Sequence, residues 1–416
     1  MLKALVNGVQ GGKWYSLMDK VFNLTTLERA FVKVKANRGS AGIDGINIAK
    51  FEKRKTRYLE RLHEELKCGS YKAKAIKRKR IPKPGSKETR PLGIPTVRDR
   101  VVQTALKMVL EPIFERDFSD NSHGFRPNRG CKDALRATQK NLIEGKRWVV
   151  DADLRKYFDT IPKERLMQRV KTRIADKRVL NLIESYLNQS VVEDMESWVP
   201  EAGTPQGAII SPLLANIYLN PLDHLMEQKG MRIVRYADDL VVMCEREDEA
   251  RKALEILEEW SEQEGLSLHP EKTCVVDMNQ PGGSFDFLGY HFEVSKRKPG
   301  KINRWPSRKS QKSLREKIRP LTKRCNGWSE AEIVEKVNPI LKGWFEYFKH
   351  SKSSEFPNVD GWVRMRLRSI LRKRHKGKGR GRGDDHHRWP NAYFSNLGLF
   401  SMEKAHRALL IQSSRR

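Results

Sequence analysis

Residues 232–244 constrain the fold more tightly than any other stretch of the chain. Ile233, Val234 and Tyr236 lead into Ala237-Asp238-Asp239, and Leu240, Val241, Val242 and Met243 lead out. Two short β-rich apolar runs around a polar turn spell a hairpin with adjacent carboxylates at its tip. Neighbouring aspartates beside apolar strands are costly unless a cation neutralises them. Hard oxygen ligands on a rigid hairpin suit Mg²⁺, held by one or two carboxylates together with substrate phosphates. Phosphoryl transfer assisted by two metal ions needs carboxylates that bridge ions roughly 3.5–4 Å apart, so a third carboxylate must come from a neighbouring strand. Residues 147–154 read as that strand and offer Asp151 and Asp153. Alternation puts both on one face, and periodicity does not choose between them.

Charge narrows the class of partner. The chain has 82 Lys+Arg against 52 Asp+Glu, a formal net charge of +30 over 416 residues. Such an excess repels itself unless the protein works against a polyanion, with nucleic acid the first candidate and an anionic membrane surface the second. Residues 301–416 hold 29 basic and 10 acidic residues, and 51–100 hold 17 and 6, including the run Lys77-Arg78-Lys79-Arg80. By contrast, 241–270 hold three basic and nine acidic residues. Two basic regions thus flank a nearly balanced centre. With 38% apolar residues the chain can fill real cores, which excludes a disordered tail protein. No run of 18 apolar residues exists to span a bilayer, and the first 20 residues lack the apolar core of a signal peptide. Five scattered cysteines without a CxxC pair fit a reducing compartment and argue against structural zinc. A soluble, intracellular protein is expected.

The remaining elements are coarser. The first 70 residues read as helices broken at Asn37-Arg38-Gly39-Ser40 and at Gly42. A basic strand over 75–82 precedes the turn at Pro84-Gly85, and a helix over 97–116 follows Pro95. Ser211-Pro212 looks like a helix start with Ser as N-cap, and Leu213, Leu214, Ile217, Tyr218, Leu222 and Leu225 repeat at helical spacing. An amphipathic acidic helix follows the hairpin through Leu254, Leu257 and Trp260. After Pro299-Gly300 the composition turns basic and helical, with Trp344, Tyr347 and Phe348 on one face, which sets the expected domain boundary. Residues 375–383 read as a basic Gly-rich linker.

Several ordered blocks resemble one family. Arg235-Tyr236-Ala237-Asp238-Asp239 resembles the YADD box of reverse transcriptases, and residues 203–219 (GTPQGAIISPLLANIYL) look like the block before it in bacterial group II intron reverse transcriptase/maturases. Ala36-Asn37-Arg38-Gly39 with Gly42-Ile43-Asp44-Gly45 is similar to the family's N-terminal extension. Ile81-Pro82-Lys83 with Arg90-Pro91-Leu92-Gly93-Ile94-Pro95 resembles its first fingers block. His123-Gly124-Phe125-Arg126-Pro127 resembles the second block, Asp153 with Tyr157-Phe158-Asp159 the third, and Glu271-Lys272-Thr273 the sixth. Phe287-Leu288-Gly289 resembles the seventh, and Gly343-Trp344 with Tyr347-Phe348 the maturase thumb, domain X.

The resemblance implies an α+β fold: a right-hand polymerase, fingers and palm with an antiparallel palm sheet, followed by an α-helical thumb. Its expected divisions are 1–70 (N-terminal extension), 71–299 (fingers and palm), 300–374 (thumb) and 375–416 (basic segment for DNA or RNA). It selects Asp153, five positions before the second aromatic, over Asp151. Asp153 and Asp238 would bridge two Mg²⁺ ions, for which Mn²⁺ is a substitute. Asp239 would lie nearer the metal at the primer 3′-end, and the Leu154 carbonyl would be an extra ligand. Phe158 falls at the steric gate against a ribose 2′-hydroxyl. Lys83 and Arg90 fall where fingers reach the incoming triphosphate, and Gln206 where the nucleotide pocket meets the templating pair. Lys272 falls where a lysine could protonate departing pyrophosphate, the bland alternative being a solvated lysine. Tyr236, Ala237, Phe287, Leu288 and Gly289 would contact primer or nucleic acid.

Ala208 stands where most relatives have glycine, and no cysteine follows Cys325, so the resemblance is to members lacking an HNH-type endonuclease. Asp384-Asp385-His386-His387 reads as a polar loop. The implied activity is RNA-directed DNA polymerisation joined to maturase work: binding structured intron RNA, assisting splicing and copying the intron into target DNA during retrohoming. Implied partners are intron RNA, an RNA template with DNA primer, target DNA and dNTPs, without a membrane, in a bacterial cytoplasm at the nucleoid. Oligomeric state is left open, a homodimer included. Basic residues interleaved with Trp305, Trp328, Trp344 and Trp362 suit phosphate contact and base stacking, although these tryptophans equally suit a core. Two alternatives stay open here. One is a reverse transcriptase of a retron, CRISPR-linked or phage-defence system, and the other is a non-enzymatic RNA-binding splicing factor.

Overall fold

The computed structural model describes residues 12–82, 89–194, 196–298, 300–379 and 383–414. The chain divides into two compact units, Met1–Asp277 and Met278–Arg416.

The first unit is organised around one almost wholly buried helix, Val97–Glu115. Its start is set by Thr96, whose hydroxyl oxygen accepts from the Asp99 amide at 3.1 Å and donates to the Asp99 carboxylate at 2.7 Å. Val101, Val102, Ala105, Leu106, Val109 and Leu110 are buried on one face, and the polar face is covered too, with Asp99, Arg100 and Gln103 also buried. The N-terminal helices Met18–Phe22, Leu24–Ala36 and Lys55–Cys68 pack on the same core through Leu27, Phe31, Leu59 and Leu62. Residues 18–68 therefore share the core of this unit and do not form a separate layer.

Two four-stranded sheets complete it. In the first, β1 (Ile76–Pro82) pairs antiparallel with β2 (Thr89–Ile94) and parallel with β4 (Val191–Glu193), which pairs with β5 (Glu196–Trp198). In the second, β3 (Trp148–Asp153) lies between β7 (Asp239–Cys244) and β8 (Cys274–Asp277), with β6 (Arg232–Tyr236) outside β7. Every pairing in this sheet is antiparallel. Val149, Val150, Val241 and Val242 are buried in its centre, and the helices Ser211–Gln228 and Glu247–Gln263 share one core with Val150 and Val242. The Ser211 cap is displaced from expectation. Ser211 is the first helical residue, Ile210 is the cap, and the Ser211 hydroxyl donates to the Pro205 carbonyl at 2.9 Å instead of an amide of its own helix.

The second unit begins earlier than composition suggests. Strands β9 (Ser284–Phe287), β10 (Tyr290–Val294) and β11 (Ile302–Pro306) form an antiparallel meander, and Gly300 lies in the connection between paired β10 and β11. A Pro-Gly step marks a hairpin as readily as a linker, so the change of composition at 299/300 falls inside this unit. Helices Arg308–Leu321, Glu330–Phe348 and Glu355–Arg374 enclose Leu314, Ile318, Val337, Leu341, Phe345, Val363 and Leu367. Trp389, Phe394 and Met402 join that core, with Leu409 against it, so residues 384–409 are packed and not an appended basic tail. Asp384–Arg388, expected as a polar loop, is a short helix in which Asp385 accepts from Arg372 at 2.6 Å. Trp328, Trp344 and Trp362 are partly buried against the core, whereas Trp305 lies on β11 with its ring 5.0 Å from that of His291. No helix among the described residues is long and apolar enough to cross a membrane.

Candidate active site

The carboxylates expected from the sequence meet at one end of the β6-β7-β3-β8 sheet. Tyr236 pairs with Asp239 to close a two-residue turn, Ala237-Asp238, and Asp239 stands directly opposite Asp153 on β3. Asp151 pairs with Val241 and Cys274, two positions further down the strand. The register thus sets Asp153, and not Asp151, beside the hairpin tip. Ala237 adopts φ +61°, in the left-handed region that L side chains rarely enter, and its side chain is buried. Gly124 explains how close the neighbouring segment comes: a Cβ there would lie 2.3 Å from the Ala237 nitrogen. Residues 121–123 run alongside β6, with the Arg235 amide donating to the Asn121 carbonyl and the His123 amide to the Arg235 carbonyl, both at 2.9 Å.

The electrostatics are those of crowded acids. Burial raises the Asp238 carboxyl above its ordinary range, and the like charge of Asp153 adds to this while Lys272 and Arg235 oppose it. Lys272 is drawn onto the site: its ammonium donates to an Asp153 oxygen at 2.5 Å. The segment carrying it is tied back by the His269 amide, which donates to the Asp153 carbonyl at 2.7 Å, and by a bridge between Leu154 and Leu268. That bridge uses the Asp153 carbonyl and the Arg155 amide, not the Leu154 carbonyl. As donors for Mg²⁺ the three carboxylates are chemically apt. Among the described residues no three acidic, histidine or cysteine side chains are already drawn together as around an ion, because Asp153 engages Lys272, which a cation would have to displace.

A cavity of about 420 Å³ in the first unit gathers Phe158 and Gln206 with Arg78, Arg80, Asp159 and Trp198. The Gln206 carbonyl accepts from the Gly93 amide at 2.6 Å, and its side-chain amide donates to Asp159 at 3.2 Å. Burial raises the Asp159 carboxyl, against the pull of Arg78 and Lys156. Arg78 lies over the Trp198 ring at 5.4 Å, and Arg80 pairs with Glu193 at 2.7 Å. Arg90 does not line this cavity. It is exposed on β2 between Thr89 and Pro91, which do line it, so the pleat sends Arg90 to the other face. Lys83 lies outside the described residues.

Sequence reasoning missed Phe125, which is 44% exposed and whose ring lies 6.4 Å from Phe158 and 6.3 Å from Tyr236, linking cavity to hairpin. The basic run 77–80 does not by itself single out Arg78 and Arg80. Alternation within the run 77–80 could have separated them from Lys77 and Lys79, but only β pairing says which face matters. Tyr236 is half-buried, its phenol pushed up to about 12 by burial and by a hydrogen bond with the Cys131 thiol.

In the second unit, Phe287 pairs with Tyr290 around Leu288-Gly289. Both turn residues are left-handed, φ +47° and +78°, as a tight two-residue hairpin requires. The Leu288 carbonyl accepts from the Tyr347 hydroxyl at 2.8 Å, and the Gly289 carbonyl from the Ser307 amide and the Ser310 hydroxyl, each at 2.9 Å. The turn is thus latched to the helices that follow it.

Comparison with known proteins agrees with this geometry. Residues 81–292, just over half of the chain, match the family described as reverse transcriptase (RNA-dependent DNA polymerase). Residues 311–389 match the group II intron maturase-specific domain. The chain is 39% identical over 189 residues to the group II intron-encoded protein LtrA of Lactococcus lactis, an alignment covering 45% of this chain and 31% of that protein. It is 40% identical over 192 residues to protein YkfC of Escherichia coli, covering 45% and 50%. To the putative COX1/OXI3 intron 1 protein of Saccharomyces cerevisiae it is 26% identical over 414 residues, covering 86% and 48%. The chain thus spans between about a third and a half of the length of these relatives. A family match over so much of the sequence makes this chain a member of the reverse transcriptase family, with a group II intron maturase-specific region in its second unit.

Proposed function

We propose that this protein is an RNA-directed DNA polymerase that also serves as the maturase of a group II intron. The observation that carries the polymerase reading is the register that sets Asp153 opposite Asp239, with Asp238 in the adjoining turn. These three side chains would hold two Mg²⁺ ions, with Mn²⁺ as substitute. When bound, the ions supply activation of the attacking oxygen and stabilisation of the leaving group.

The reaction is nucleotidyl transfer. The primer 3′-hydroxyl loses its proton and its oxygen bonds to the α-phosphorus of a dNTP, the bond to pyrophosphate breaks, and pyrophosphate takes up a proton. Lys272, held beside Asp153, is the donor of that proton. Phe158 and Gln206 shape the nucleotide pocket, the ring excluding a 2′-hydroxyl, and Arg78 and Arg80 supply positive charge along its wall. Lys83 is a further contact for the triphosphate. Tyr236 and Ala237, and the latched Leu288-Gly289 turn, contact the primer strand.

The maturase reading rests on the match over 311–389 and on the basic residues beyond 300. Intron RNA is the substrate that this region would grip, largely through phosphates. The polymerase would then copy that RNA from a DNA primer at its target. Five free cysteines fit work in the reducing cytoplasm. The assembled carboxylates give no support to a non-enzymatic splicing factor.

Extension of a DNA primer on an RNA template tests this directly. Wild-type protein with Mg²⁺ should add dNTPs and Asp153→Asn should not. Absence of extension by the wild-type protein on every template would overturn the polymerase reading. RNA affinity should also fall steeply with salt, because each neutralised phosphate releases counterion.

A further inference from the structure

Among the described residues Arg235 is the largest side chain that is wholly buried, and it lies beneath the carboxylate turn. Its Nε and Nη2 grip both oxygens of the equally buried Asp223 at 2.7 and 2.5 Å. The same guanidinium donates from Nη2 to the Ser122 hydroxyl at 2.8 Å and from Nη1 to Asn216 at 3.1 Å. The remaining bond reaches forward, from Nη1 to the Ala237 carbonyl at 2.9 Å.

That last contact is the informative one. Ala237 is held at φ +61°, a conformation an alanine leaves unless its surroundings over-determine it. Its carbonyl belongs to the peptide unit joining it to Asp238, so whatever holds that carbonyl also orients the aspartate. Asn216, which accepts from Arg235, also donates to the Gly124 carbonyl at 2.8 Å and so secures the segment packed on the other side of the turn. A planar five-donor fork meets a carboxylate, an amide oxygen, a hydroxyl and a peptide carbonyl at once, which an ammonium cannot do. A buried ion pair is a weak source of stability compared with apolar packing of the same volume, but it does fix geometry.

We propose that Arg235, clamped by Asp223, is a positioning residue that locks the Ala237-Asp238 turn and thereby sets the placement of Asp238 relative to Asp153. The proposal rests on the reading of these aspartates as the polymerase metal ligands. It predicts that loosening the clamp weakens divalent binding and turnover while leaving nucleotide affinity nearly intact.

The test is Mn²⁺ binding to the full chain by electron paramagnetic resonance, alongside steady-state primer extension. Arg235→Lys keeps the buried charge opposite Asp223 but cannot make all the bonds. It should bind Mn²⁺ roughly 10–100-fold more weakly, as loss of an outer-shell partner does, with a matching fall in kcat and little change in dNTP KM. Asn216→Ala carries the test without touching the ion pair should Arg235→Lys fail to fold by circular dichroism, and its expected loss is in the same direction. A folded Arg235→Lys, or Asn216→Ala in its place, with wild-type Mn²⁺ affinity and kcat would overturn the proposal. If Asp238→Asn still abolishes extension in that case, the polymerase reading stands and only the positioning role falls.

Discussion

Lys272 holds its ammonium 2.5 Å from an oxygen of Asp153, the aspartate directly opposite Asp239. The contact offsets part of the repulsion among the gathered carboxylates, and it has to open before Asp153 can share a cation. On the proposed reading lysine and metal compete for one oxygen, and the same lysine would deliver a proton once the site is occupied.

Replacing that lysine should separate the two roles. In Lys272→Gln, Mn²⁺ binds the protein alone up to about fivefold more tightly, the ceiling expected for a solvent-exposed ion pair. Single-turnover incorporation falls by about a hundredfold or more if the proton donor is lost. Weaker Mn²⁺ binding would contradict the competition, and an unchanged single-turnover rate would sink the acid role.

His123 gives a pH signature in stability. It is buried, neither ring nitrogen has a hydrogen-bond partner among the described residues, and desolvation holds its imidazole down at about 4. The unfolded chain takes up this proton near 6.5, so it binds more protons than the native state between about 4 and 6.5. The contribution is present above about 6.5 and is lost as pH falls through that window, to the extent of about 3 kcal/mol. Urea titrations across the window should show a shallower slope for His123→Leu than for wild type. Equal slopes would place the pH dependence elsewhere.

Phe158 lines the cavity with Gln206 and touches the Phe125 ring edge-on. Trimming it to valine should lower the preference for dNTP over the matching ribonucleotide by about tenfold or more, some 1.4 kcal/mol of discrimination. The ratio of kcat/KM values for the two nucleotides reads this out. An unaltered ratio would make the ring a packing residue only.

Asp360 anchors the last helix of the second unit. Its carboxylate accepts from the Ser401 hydroxyl at 2.7 Å and from the Met402 and Glu403 amides at 3.1 Å. Asp360→Ala leaves those donors unmet and should cost about 2–4 kcal/mol. Hydrogen exchange should rise most in Met402–Ser414. Protection equal to wild type there would show that Met402 and its apolar neighbours hold the helix without the cap.

The hairpin was legible because alternation and a polar tip leave few other folds for residues 232–244. Asp153 could not be told from Asp151 by alternation, since both lie on one face; the family resemblance selects Asp153, and the register against β7 gives the physical reason. The burial of Arg235 had no signal at all, because an arginine within a strand reads as a surface residue until Asp223 is known to face it. Basic composition hid the packed end of the chain, where Trp389, Phe394 and Met402 are spaced among Arg and His. Arg90 shows the reverse error: the motif supplied a residue that the pleat of β2 turns away from the cavity.

Single-nucleotide incorporation by Asp238→Asn and Asp151→Asn, measured side by side on one RNA template with one DNA primer, tests the central claim most directly. The account predicts that Asp238→Asn loses activity to background while Asp151→Asn stays within about tenfold of wild type, a difference of at most 1.4 kcal/mol in barrier. Robust incorporation by Asp238→Asn, or equal loss in both variants, would contradict it.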